Sequence, residues 1–176
     1  MSMGYLVGDS APIVWRGPIL MKAIQQLLHE VDWGGLDILV LDLPPGTGDT
    51  QISVAQQVVL DGSVIITTPH TLSLVDAQRG IGMFEKVFVP VLGMVQNMSL
   101  FTCPCCSTQT PVFGTGEKVK TLCKEKGIEF LADVPLHARI AEDAQEGKPT
   151  VVAEPGGDRA AVFMDLAKRL GEKVGL

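Results

Sequence analysis

Four short apolar runs, rich in β-branched residues and separated by longer amphipathic segments, restrict this chain more than any other feature: DILVLDL at 37–43, GSVIITT at 62–68, VLGMVQN at 91–97 and the weaker IEFLADV at 128–134. A strand apolar at successive positions is apolar on both faces, so these runs predict strands of a parallel sheet covered on both sides. The segments between them predict helices. Met21, Ile24, Leu27, Leu28 and Val31 share one face of the first; Ile52, Ala55, Val58 and Val59 share one face of the second; Val75, Phe84 and Val87 contribute to a third. Asp158 is a candidate cap for a last helix lined by Val162, Phe163, Leu166, Leu170 and Val174. Strand alternating with helix gives an α/β fold with a doubly wound, mostly parallel sheet, helices on both faces and right-handed crossovers. A single domain over 1–176 is expected, with EGKPTVVAEPGGD at 146–158 as a surface connection. Ligands of such sheets gather beyond the carboxyl ends of the strands.

Charge narrows the partners. Lys and Arg number 14 against 20 Asp and Glu, a net charge of −6, and no basic run could track a phosphate backbone, which argues against nucleic acid. No apolar run approaches the roughly 18 residues of a membrane helix, so a soluble protein is expected, with peripheral membrane contact at most. MSMGYLVGDS at the start has neither secretory nor organellar signal character.

The loop after the first run, ILVLDLPPGTGDT at 38–50, looks like a phosphate-cradling P-loop until Asp49 is reached, where the lysine would stand. The better reading is an apolar strand ending in Asp42, whose carboxylate holds Mg through water opposite a nucleotide's phosphates, with Gly46 and Gly48 letting the backbone turn close to the γ-phosphate. The plainer one is a strand end and an ordinary turn. No G-x-x-x-x-G-K-[ST] occurs in the 176 residues, so a site built on Asp42 lacks its principal cradle, and no appreciable ATP hydrolysis is expected of these residues alone.

FTCPCCSTQT at 101–110 gathers Cys103, Cys105 and Cys106; the fourth cysteine, Cys123, lies in KVKTLCKEKG. Thiols bunched in one loop suit ligand chemistry in a reducing compartment better than a structural disulfide framework. Soft thiolates hold iron-sulfur clusters, and a two-residue spacer lets two sulfurs turn toward one centre. Zinc on Cys103, Cys105, Cys106 and Cys123 competes with this, although C-x-C-C is tighter than ordinary zinc spacing. A redox disulfide between Cys103 and Cys106 also competes, although the motif follows a strand and a loop rather than opening a helix. Asn97 reads without further context as a strand-end cap, Trp15 and Trp33 as packing residues, and His29, His70 and His137 as surface or loop histidines; Arg16 has no role that spacing defines.

In order along the chain, MSMGYLV (1–7), VWRGPILMKAIQQLL (14–28), VDWGGLDILVLDLPPGTGDTQISVAQ (31–56), TTP (67–69), DAQRGIGMF (76–84), VPVLGMVQNMSLFTCPCC (89–106), FGTGE (113–117) and DVPLHARIAEDAQEGKP (133–149) together resemble the Mrp/ApbC family of iron-sulfur cluster carriers, within the MinD-like deviant P-loop ATPases. The match is nearest to the mitochondrial branch that serves complex I assembly. The family's N-terminal strand, P-loop and helix have no counterpart in these residues. The resemblance implies that Asp42 is the Walker B carboxylate, that Gly46 lies in the γ-phosphate-sensing switch, that Asn97 contacts adenine and that Pro135 and Leu136 flank the base. It implies ATP and Mg as ligands. It also implies a 4Fe-4S cluster held by Cys103 and Cys106 of two copies across a twofold axis, hence a homodimer. Apo iron-sulfur proteins, complex I subunits among them, would be the recipients, in the mitochondrial matrix or, alternatively, the cytoplasm. A cluster-free, MinD-like positioning module is the alternative function. Two departures stand out: His70 and Thr71 replace the family's usual Gln-Asp, and Cys105 adds a third thiol that leaves open which two sulfurs bind.

Overall fold

A computed structural model describes residues 1–6 and 17–176; Trp15 and Arg16 lie outside the described residues. Two compact units result, Met1–Leu60 and Asp61–Leu176.

In the first unit a 3-10 turn at Met3–Leu6 precedes helices α1 (Gly17–His29) and α2 (Asp49–Gln57). The two helices pack together, and Ala23, Ile24 and Val54 are buried. The apolar stripe expected for α2 is not the one buried: Gln51 and Val54 are inside, whereas Val59 is 98% exposed. The helix ends too early for it. Val58 already has extended backbone (φ −132°), so Val59 leaves the helical face. Val31 likewise lies past the end of α1.

The expected strand at 37–43 is a larger correction. DILVLDL runs without a ladder, and Ile38, Leu39 and Val40 are 47%, 42% and 82% exposed. A strand exists only where a neighbour takes up its backbone N–H and C=O groups, and none of the described residues does so here.

The second unit supplies the sheet. Strand β1 (Ser63–Thr67), helix α3 (Thr71–Lys86) and strand β2 (Val91–Gln96) form a parallel β-α-β unit. A hairpin of β3 (Phe101–Thr102) and β4 (Gln109–Thr110) follows, then α4 (Glu117–Lys126), β5 (Phe130–Asp133), α5 (Ala138–Gln145), α6 (Thr150–Ala153) and α7 (Asp158–Val174). The strand order is β1-β2-β5, all parallel. Register and alternation place helices on both faces. Ile65 is paired with Met94 and lies toward α3, whose Gly80 has the Ile65 Cδ1 in van der Waals range of a Cβ position. Val95, the next residue, points the other way and joins Leu131 and Val134 in a core cluster closed by Val162, Phe163, Leu166 and Leu170 of α7. The α7 stripe is therefore as expected, except that Val174 is partly exposed. Asp158 does not cap it: Gly157 is the cap residue, and Asp158 occupies the first helical position, where its charge still favours the helix N-terminus.

Two histidines expected as surface or loop residues have defined tasks. His70 Nδ1 accepts the Leu72 N–H (3.3 Å) and His137 Nδ1 accepts the Arg139 N–H (3.1 Å), so each caps a helix that lacks the usual Ser, Thr or Asp there. Among the described residues no helix is long and apolar enough to cross a membrane.

Candidate functional site

The cysteine loop is the tip of the β3–β4 hairpin. Cys103 N–H donates to Thr108 O (3.0 Å), which closes the hairpin, and Ser107 N–H donates to Cys103 O (2.9 Å), which makes 103–107 one turn of helix. Pro104 supplies a fixed φ for the turn, and Ser107 ends it in the left-handed region (φ 56°). At about 100° per residue, positions three apart on such a turn lie nearly above one another, while positions two apart lie about 200° round. Cys103 and Cys106 therefore share a side. The hydrogen bonding agrees. Cys106 Sγ meets Thr108 Oγ1 at 3.2 Å, and its pKa is lowered from the ordinary thiol value by the Thr108 hydroxyl, the Thr108 backbone and the Cys103 side chain. Cys105 and Cys106 are exposed and Cys103 half-buried.

Cys123 stands apart from this chemistry. It is 2% exposed inside α4, where burial raises its thiol pKa. Among the described residues no three His, Cys, Asp or Glu side chains converge to hold a metal ion, so the four-cysteine zinc site is not assembled. Two sulfurs alone do not close a tetrahedral site, and the remaining ligands of any metal bound there come from outside the described residues.

The carboxyl end of the sheet continues into this loop. Asn97 N–H donates to Thr67 O (2.7 Å), and the Asn97 Oδ1 accepts the Met98 N–H (2.9 Å), so the residue does cap its strand. From Gln96 to Leu100 the chain zips to the segment after β5: Val134 N–H to Gln96 O (2.8 Å), Ser99 N–H to Val134 O (3.1 Å) and Leu136 N–H to Leu100 O (2.9 Å). Phe101 and Leu136 form a further parallel bridge. Asn97, Pro135 and Leu136 are thus neighbours of one another and of the hairpin. Beneath them buried Gln96 donates from Nε2 to Asp133 Oδ1 (3.1 Å).

Asp42 and Gly46 belong to the first unit. Both are exposed; Gly46 has φ 100°, which only glycine adopts freely, and Gln51 Nε2 of α2 holds the loop by donating to Pro44 O (2.6 Å). Sequence reasoning missed Thr108 and the Leu100–Leu136 contact. A threonine two residues after Cys106 was the only available sign of the first; pairing across 36 residues left none of the second.

The sequence pattern described as "ParA: NUBPL iron-transfer P-loop NTPase" matches residues 1–171. The chain is 48% identical over 170 residues to "Iron-sulfur cluster transfer protein NUBPL" of Dictyostelium discoideum, covering 97% of this chain and 52% of that protein. It is 49% identical over 170 residues to "Iron-sulfur protein required for NADH dehydrogenase, mitochondrial" of Arabidopsis thaliana, covering 97% and 54%. The chain spans about half the length of the curated relatives it matches. Among solved structures, a nucleotide-binding protein in complex with ADP from Archaeoglobus fulgidus superposes with a TM-score of 0.69 at 36% identity, covering 82% of this chain and 58% of that one. The cell division ATPase MinD of Pyrococcus furiosus, at 21% identity and a TM-score of 0.60 over 87% of this chain and 57% of its own, shares the fold. With its parallel sheet, its cysteine hairpin and a family match over nearly all of its length, this chain belongs to the NUBPL-type iron-transfer P-loop NTPases of the ParA family.

Proposed function

We infer that this chain holds an iron-sulfur cluster as cargo and passes it to apo-proteins, with Cys103 and Cys106 as its two ligands. The helical turn at 103–107 carries this reading, because it brings those two sulfurs to one side of an exposed loop. A 4Fe-4S cluster takes four thiolates, so two copies supply it across a twofold axis. Exposed Phe101, Val112 and Phe113 border the loop and give a second copy apolar surface to cover. A cluster bridging two chains is also easily released, as a carrier requires.

The family resemblance supports Mg-ATP as a ligand, with Asp42 and Gly46 proposed as phosphate-side residues and, separately, Asn97, Pro135 and Leu136 as residues for the base. The relatives named for iron-sulfur transfer and for NADH dehydrogenase support recipients among apo iron-sulfur subunits of that enzyme, and a mitochondrial matrix location. The test is direct transfer. Chain loaded with iron and sulfide without oxygen is mixed with an apo acceptor that takes a 4Fe-4S cluster, and the acceptor's activity is followed. Transfer that vanishes in Cys103→Ala and Cys106→Ala chains is expected; equal transfer from those variants overturns the reading.

A further inference from the structure

Thr108 meets both of the proposed ligand residues. Ser107 ends the helical turn in the left-handed region (φ 56°), and the chain doubles back so that the Thr108 carbonyl accepts the Cys103 N–H at 3.0 Å. The same residue places its hydroxyl oxygen 3.2 Å from the Cys106 sulfur. A free thiol there donates its proton to the hydroxyl oxygen. A sulfur bound to iron has no proton to give, and the hydroxyl, which is a donor as well as an acceptor and can turn about its C–O bond, is then the group left to donate.

We propose that Thr108 is a positioning residue for the cluster cargo, whose hydroxyl donates to the Cys106 sulfur once that sulfur is a ligand. This rests on the assignment of Cys103 and Cys106 as the ligands. The hydrogen bond acts in two ways. It fixes the rotation of the Cys106 side chain, so that the sulfur stays on the side it shares with Cys103; partners that orient a ligand in this manner govern metal affinity by about 10–100-fold. It also draws negative charge from the sulfur and so favours the reduced, more negative cluster, hydrogen bonds to the sulfurs being among the influences that set cluster potentials. Water competes at this exposed contact, so its loss changes how firmly the cargo is held rather than whether it is held. For a carrier, that firmness sets how readily the cargo leaves.

The experiment compares wild-type, Thr108→Val and Thr108→Ser chains loaded with iron and sulfide without oxygen. Valine keeps the shape of threonine and the carbonyl that closes the hairpin but has no hydroxyl; serine keeps the hydroxyl and loses the methyl group. Two quantities are read: the rate at which an added iron chelator strips the cluster, and the cluster's reduction potential, followed by its spectrum. Thr108→Val is expected to lose iron about tenfold faster and to shift to a lower potential, with Thr108→Ser close to wild type in both. Hydrogen exchange at the Cys103 amide is expected to be the same in all three, which shows the hairpin intact; quicker exchange in the valine chain would assign the effect to the hairpin and overturn the proposal. A valine chain that matches wild type, or a serine chain that falls as far as the valine one, overturns it too and leaves the ligand pair standing. A wild-type chain that takes up no iron under any loading overturns the ligand assignment, and the role of Thr108 with it.

Discussion

Leu136 donates its backbone N–H to the carbonyl of Leu100 at 2.9 Å, and this bond ties the segment after β5 to the stem of the cysteine hairpin. Together with the Phe101–Leu136 bridge it joins the stretch proposed to flank the adenine to the one that presents Cys103.

Replacing Leu136 by Pro removes the donor and leaves the Leu100 carbonyl unpaired, a loss of about 1 kcal/mol. Amide hydrogen exchange at Phe101, Thr102 and Cys103 is expected to quicken in Leu136→Pro and to stay unchanged in Leu136→Ala, which keeps the N–H. Unchanged exchange in the proline variant would mean that the hairpin is held by other contacts.

The three thiols of the loop are not equivalent. After anaerobic loading, Cys103→Ser and Cys106→Ser are expected to fall to background iron, whereas Cys105→Ser retains the wild-type amount. Loss of iron from all three variants alike would contradict the helical-turn geometry.

Gly93 and Gly82 give opposite outcomes for one chemical change. A Cβ at Gly93 would stand 2.4 Å from Leu131 Cγ and 2.8 Å from the Glu129 carbonyl, whereas one at Gly82, within α3, meets nothing within 4 Å. Gly93→Ala is expected to destabilise by about 1–3 kcal/mol through overpacking. Gly82→Ala is expected to stabilise by about 0.5–1 kcal/mol, because alanine orders more cheaply in a helix. Urea midpoints distinguish them; equal midpoints would refute the packing described for β2 against β5.

Glu129 ties β5 to α7. Lys173 (2.6 Å) and Arg169 bind its carboxylate and lower its pKa from the usual 4.5, and Arg169 also reaches the Leu131 carbonyl. The folded state therefore favours the ionised form. That contribution is complete above the unfolded pKa and is lost as pH falls from about 4.5 through the lower, folded value. Unfolding followed from pH 7 to pH 3 is expected to show a shallower loss of stability in Glu129→Gln than in wild type. The effect is small, since the pair is partly exposed to solvent. Parallel curves would remove Glu129 from the acid response.

Much of the fold could be read from apolar runs alone. Those at 62–68, 91–97 and 128–134 became Ser63–Thr67, Val91–Gln96 and Phe130–Asp133, each paired in parallel with a neighbour, although Ile66 of the edge strand β1 is left 58% exposed. The run at 37–43 has the same character and formed no strand, since side-chain pattern says nothing of whether a neighbouring strand is present to pair with. At the site, spacing nominated Cys103 and Cys106 but could not separate them from Cys105. The Ser107-to-Cys103 hydrogen bond, on which the proposed ligand pair rests, makes a helical turn that no residue of the loop announces by itself.

The central claim is best tested by iron, acid-labile sulfide and zinc per chain, measured after loading without oxygen and alongside the oligomeric mass. About two iron and two sulfide per chain in a species of two chains is the predicted result, the stoichiometry of one four-iron cluster shared between two Cys103–Cys106 pairs. One zinc per monomer with no iron would contradict it and make the cysteine hairpin a structural element.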